Sequence, residues 1–157
     1  MSIVDLYGHE RLRERIAGAI SRDALPSSML FHGPRGVGKQ RLALWLGQAL
    51  LCTGTAPRPC GACPQCRFSL ALTHPDLQWV FPRPRLKDSD PSREDVRDDY
   101  AQAIAERTAK NGLYTPPSGS DGIFVATMRA VVRAAAMSPA LAHRKVFVVG
   151  DAERMVS

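Results

Sequence analysis

No apolar run in this 157-residue chain approaches the roughly 20 residues that a membrane span requires. The first ten residues, through Glu10, lack both the basic region and the apolar stretch of a secretory signal. Neither a membrane-spanning nor a secreted protein is expected, and the cytoplasm is the expected location. Lysine is scarce, at Lys39, Lys87, Lys110 and Lys145 only, so arginine supplies nearly all the positive charge. No Lys/Arg block of the kind found in nucleic-acid-binding tails occurs, and there is no internal repeat. The net charge of +6 permits contact with nucleic acid or an acidic partner and demands neither. What the chain does have is 45% hydrophobic residues, enough for a core of one domain's size.

Cysteine is rare but concentrated. Cys52, Cys60, Cys63 and Cys66 form a C-x7-C-x2-C-x2-C array, and the chain has no other cysteine. In a reducing compartment such crowding points to metal and away from disulfides. Zinc takes four tetrahedral ligands, and the x2 spacing lets two thiolates of one tight turn reach the same ion. Gly54, Pro57, Pro59, Gly61 and Pro64 supply turn chemistry. Four thiolates leave no open position for water, so a zinc ion over 52–66 is expected to be structural. His74 is expected to stand outside the ligand set.

Along the chain, Leu12, Ile16 and Ile20 recur at i+4 and predict an amphipathic helix within 9–25. Met29, Leu30, Phe31 and His32 read as a short buried strand, and the apolar stretch over 41–51 reads as a helix packed on a sheet. A second strand is expected over 77–81. From 82 to 122 the composition changes: prolines punctuate it, and seven basic residues face seven acidic ones between Arg83 and Lys110. That segment is expected to be an exposed insertion, dispensable for the fold, with a helix over 93–110 at most. A helix over 123–137, presenting Met128, Val131, Val132 and Ala135 on one side, and a third strand over 145–149 follow. Alternating strands and helices predict α/β with a parallel sheet and flanking helices. Nothing in the remaining eight residues looks able to cover the third strand's edge, so 1–157 is expected to be a partial domain, truncated before the fold is complete.

Between the first strand and the second helix lies Gly33-Pro34-Arg35-Gly36-Val37-Gly38-Lys39-Gln40, a G-x4-G-K phosphate loop. Its glycines let successive N–H groups face an anion, and its lysine reaches terminal phosphates. The motif calls next for Ser or Thr, whose hydroxyl holds magnesium, but Gln40 stands there. The second magnesium-site acid (the Walker B position) should end a later strand. At the end of 145–149 that position is Gly150, with Asp151 one place on, where a catalytic Glu is usual. Both metal-linked positions are altered, so ATP and magnesium are doubtful cofactors, and weak, magnesium-insensitive nucleotide binding is the most expected.

These features together resemble the bacterial DNA polymerase III clamp-loader family, of AAA+ type. The resemblance is carried by Leu6-Tyr7-Gly8-His9-Glu10-Arg11-Leu12, by Leu30 to Lys39, by the cysteine array, by His74-Pro75-Asp76-Leu77, and by Lys145 to Ala152. It implies a P-loop AAA+ sheet with an inserted zinc module. The departures at Gln40 and Gly150 resemble the family's delta-prime branch, a stator, more than its tau/gamma motor branch. The resemblance implies partners in the tau/gamma and delta subunits, and in the sliding clamp and primer-template DNA through the complex. The branch's Ser-Arg-Cys arginine, offered to a neighbour's ATP, has no counterpart here. An active AAA+ motor is the alternative; a free-standing zinc module on DNA is disfavoured by the lack of an aromatic-studded basic ribbon.

Overall fold

The computed structural model describes residues 6–55, 57–110 and 112–156. Helix α1 (Glu10–Ser21) is followed by α2 (Lys39–Leu51) and α3 (Pro64–Leu70), then β1 (Leu77–Val80) and α4 (Arg93–Ala109). Strand β2 (Ile123–Phe124) leads directly into α5 (Val125–Ala135), and β3 (Val146–Val149), a short 3-10 helix (Ala152–Arg154) and β4 (Met155–Val156) complete the described elements. The fold is mixed α/β with two small parallel sheets: β1 pairs with β3 from Leu77↔Val146 to Val80↔Val149, and β2 pairs with β4.

The core is built on the β1–β3 pair. Leu77, Trp79, Val80 and Phe81 share one buried cluster with Leu44 and Leu51 of α2. Gly47 lets α2 approach β1 closely, since a Cβ there would lie 2.7 Å from Leu77 Cδ1. Ile16, Leu42 and Leu46 form a smaller cluster that seats α1 on α2, with Phe31 packed against it. No helix among the described residues is long and apolar enough to cross a membrane.

Three expectations are corrected. Residues 29–32 form no strand: Leu30 is 83% exposed, and no described strand runs beside them to supply a ladder of hydrogen bonds. The residues after β3 leave its edge uncovered, as expected, although they form a strand, β4, that pairs with β2. The largest correction concerns 82–122. Val96, Tyr100 and Ala103 of α4 are buried, as is Leu113, all in the main core. The Tyr100 hydroxyl donates to Phe81 O at 2.6 Å, and Arg83 makes a two-pronged ion pair with Asp99 at 2.8 and 2.9 Å. Arg83 and Gly122 exchange backbone hydrogen bonds at the base of the segment. Part of the segment is therefore packed into the core and is not exposed. The buried face of α5 also differs: Ala126, Thr127, Ala130 and Val131 turn inward, while Val132 is 65% exposed. Helix α4 occupies the inner side and leaves the Met128 and Val132 side outward.

Candidate metal centre and candidate phosphate loop

Helix α2 ends at Leu51, so Cys52 enters the turn already buried. Cys63 caps α3 with its sulfur, accepting from Cys66 N, and Pro64 starts the helix where no N–H is needed. All four Sγ atoms consequently lie within 4.8 Å of one another. Cys60 and Cys66 sulfurs are 4.0 Å apart, Cys63 and Cys52 3.9 Å. Tetrahedral zinc with bonds of about 2.3 Å sets its sulfurs about 3.8 Å apart, so the donor set is compatible with zinc. Backbone N–H groups of Cys60, Cys63 and Cys66 point at the sulfurs of Cys52, Cys60 and Cys63, each at 3.4 Å. Two glycines make this possible. Gly61 takes φ +71 in the turn between Cys60 and Cys63, and a Cβ on Gly54 would sit 2.5 Å from Cys60 Sγ.

The same hydrogen bonds bias the thiols. Backbone N–H donors of Cys63 and Ala62 lower Cys60. Burial opposes ionisation of Cys63, but the donors from Cys66 and Thr53 outweigh it and bring this thiol down to about 5. Burial pushes Cys66 up to about 12, with its cysteine neighbours adding to the rise. A cation among them would reverse that last effect, since a coordinating thiol is held deprotonated.

The loop at 33–40 turns on its glycines. Gly33, Gly36 and Gly38 have φ of +146, +83 and +91, and Gly38 caps α2. The Lys39 ammonium turns back on its own loop, donating to Gly33 O at 2.9 Å and Pro34 O at 2.8 Å. Pro34, Arg35 and Val37 are exposed. His9 Nε2 lies 2.8 Å from Val37 O and so fastens the start of α1 to the loop. Gln40 points the other way, across to the end of β3. Its Nε2 donates to Asp151 Oδ2 at 3.2 Å, and its Oε1 accepts from the Trp79 indole N–H at 3.2 Å. Asp151 itself sits at φ +49. Magnesium wants oxygen ligands in a tight octahedron. Here an amide NH₂ faces the carboxylate and Gly150 offers no side chain, so these residues do not fit that ion.

A family model described as "DNA polymerase III, delta subunit" matches residues 8–157. The chain belongs to this family. Among curated relatives, DNA polymerase III subunit delta' of Bacillus subtilis (strain 168) is 29% identical over 103 residues, covering 66% of this chain and 29% of that protein. The delta' subunit of Haemophilus influenzae is 28% identical over 85 residues, covering 54% of this chain and 25% of its own length. DNA polymerase III subunit tau of Escherichia coli (strain K12) is 37% identical over 67 residues, covering 42% of this chain and 10% of its own. The chain thus spans less than a third of the length of each of these relatives.

In this delta-family chain, two residues of the His74-Pro75-Asp76-Leu77 run have structural tasks. Imidazole Nδ1 of His74 accepts from Asp76 N at 3.0 Å, which leaves Nε2 to donate to Gln65 Oε1 at 2.6 Å. His74 therefore braces α3 against β1 and stands outside the thiol cluster. Burial holds it neutral by lowering its pKa, against the pull of Asp76. Asp76, only 1% exposed, accepts from Ala140 N at 2.7 Å and from Leu141 N and Ala142 N at 2.8 Å each. Burial works against its charge, yet those three donors keep its carboxyl below the ordinary range.

Sequence reasoning also missed Trp79 and Arg107. The Arg107 guanidinium lies 3.5 Å from the Phe81 ring centre and 5.1 Å from that of Trp79, and donates to Leu113 O at 3.0 Å. Burial, then the charge of Arg83, lowers it to about 10. Gln40 and α4 are therefore linked through one indole. The i+4 and i+3 spacing of Val96, Tyr100 and Ala103 was the available signal for α4's place beside that ring.

Proposed function

We propose that this chain is part of a delta-prime-type stator of the bacterial clamp loader, cytoplasmic and acting in DNA replication. In this reading it supports ATP-driven loading of the sliding clamp onto primed DNA, alongside tau/gamma and delta subunits. Cys52, Cys60, Cys63 and Cys66 hold a structural zinc ion, and the loop from Gly33 to Gln40 is a degenerate nucleotide site with Gly150 and Asp151 as its altered Walker B. The single observation that carries the degenerate reading is Gln40, which stands where a magnesium-holding hydroxyl belongs and occupies the nearby carboxylate with its own amide. Phosphoryl transfer depends on a metal to neutralise charge on the transferred group and on a residue that orients the attacking water. Among the described residues at these positions, Gln40 and Gly150 bring no ligand suited to the metal and Asp151 is engaged by the Gln40 amide, which supports the degenerate reading.

The tau relatives favour the alternative, an active motor, and turnover decides between the two. Steady-state phosphate release from the purified chain is expected to stay at background and to equal that of Lys39→Ala. Magnesium-dependent turnover abolished by Lys39→Ala would overturn the stator reading in favour of the motor.

A further inference from the structure

We infer that Gln40 and Gly150 are one coupled replacement, in which the protein's own amide fills the place of a magnesium ion. The inference deepens the degenerate-site reading and rests on it for its functional sense. Gly150 lies outside the left-handed region that forces glycine at Gly33, Gly36 and Gly38. Its backbone would therefore accept a side chain. What forbids one is Gln40: a Cβ on Gly150 would lie 2.5 Å from Gln40 Cδ, 2.5 Å from Oε1 and 2.7 Å from Nε2. All three are the tip of a flexible side chain, and a free tip would move aside at little cost. This tip is held at both atoms, by the Trp79 indole and by the Asp151 carboxylate. Nor can the backbone of residue 150 retreat easily, because its N–H donates to Val80 O at 2.8 Å as β3 ends.

An acid at 150 and the bridging amide at 40 are thus mutually exclusive. With glycine at 150 the amide reaches across, and its NH₂ donates to the Asp151 carboxylate. The consequence is specific: the loop is finished without metal, and an anion held by Gly33 to Lys39 gains nothing from magnesium. Trp79 connects this plug to Arg107 and α4, so its indole reports on whether the amide is in place.

The test is a double-mutant cycle in the full chain, read by thermal melting and tryptophan fluorescence. Gly150→Ala adds only the Cβ in question. In the natural background it is expected to lower Tm by about 3–8 °C, by dislodging the amide from its two partners, and to shift the fluorescence as Gln40→Ala does. In a Gln40→Ala background the same Gly150→Ala is expected to leave Tm unchanged or raise it, since alanine narrows the unfolded ensemble. Equal Tm changes in both backgrounds would overturn the coupling. If Gly150→Ala alone does not fold, a folded Gln40→Ala/Gly150→Ala chain still supports it, and failure of both overturns it. Inorganic pyrophosphate binding, measured with and without magnesium on the natural chain, reads the underlying site separately. Binding strengthened tenfold or more by magnesium would remove the degenerate reading, whereas an additive cycle with magnesium-insensitive binding would remove only the coupling.

Discussion

Asp76→Asn is expected to destabilise the fold by about 2–4 kcal/mol near neutral pH. The carboxylate at the start of β1 receives three backbone N–H groups from the segment that feeds β3, and it is buried. Asparagine matches it in shape but brings one oxygen and one NH₂, which would face a donor with another donor. At least one of the three N–H groups is then left buried and unsatisfied, and the hydrogen bonds that survive lose their charge assistance. The pH dependence follows from the lowered folded pKa of Asp76. Its contribution is fully present above the ordinary carboxylate value of about 3.9 and is lost as pH falls through the lower folded value. The gap between natural and variant chains in urea denaturation should therefore be widest near pH 7 and close in strong acid. A difference under about 0.5 kcal/mol at pH 7, the size of an ordinary surface change, would show that Asp76 does not clamp the two strands.

Cys63→Ser is expected to empty the thiolate cluster. Its sulfur is both a donor in the four-sulfur set and the cap of α3. Metal binding at a structural zinc site is itself folding free energy, about 10–16 kcal/mol in zinc-finger peptides. Among the described residues of 52–66 only Cys52 and Cys66 are buried, so the segment should lose its order with the ion. Zinc quantitation on reduced, untagged protein should fall from a single ion per chain to near zero, with loss of helical dichroism from α3. Gly54→Ala should act in the same direction, because the added carbon would crowd Cys60 Sγ. His74→Ala should weaken the brace between α3 and β1 while the zinc content stays. Natural protein free of zinc when freshly reduced would contradict the metal reading, and zinc lost with His74 but kept without Cys63 would contradict the ligand set.

What could be read from the sequence was whatever depends on near neighbours in the chain. The four cysteines announced their cluster because x2 spacing brings sulfurs together whatever the rest does, and α2 was legible from its flanking loop and dense apolar content. The departures at Gln40 and Gly150 were also visible, but as two separate losses. Their fit to each other needed the crossing from α2 to the end of β3, across 110 residues of chain. Residues 29–32 have a strand's composition, yet a strand exists only with a partner beside it. Balanced charge over 83–110 concealed α4's buried stripe, because averaging across a helix mixes its two faces. Val96, Tyr100 and Ala103 lie one turn apart among the acids and arginines, and Asp99, one of those charges, is half of the ion pair that fastens the segment to Arg83. Asp76 likewise looked like a motif letter and turned out to be the receptor for a distant turn.

The most direct measurement of the stator account is clamp loading by an assembly reconstituted with Lys39→Ala in this subunit. Rates of sliding-clamp loading onto primed DNA, at saturating ATP and magnesium, would be compared with the unsubstituted assembly. The account predicts equal rates, since the loop's lysine is engaged with Gly33 and Pro34 carbonyls and no turnover passes through this subunit. A loss of tenfold or more, from an assembly of unchanged composition, would contradict it and place a working ATP site here.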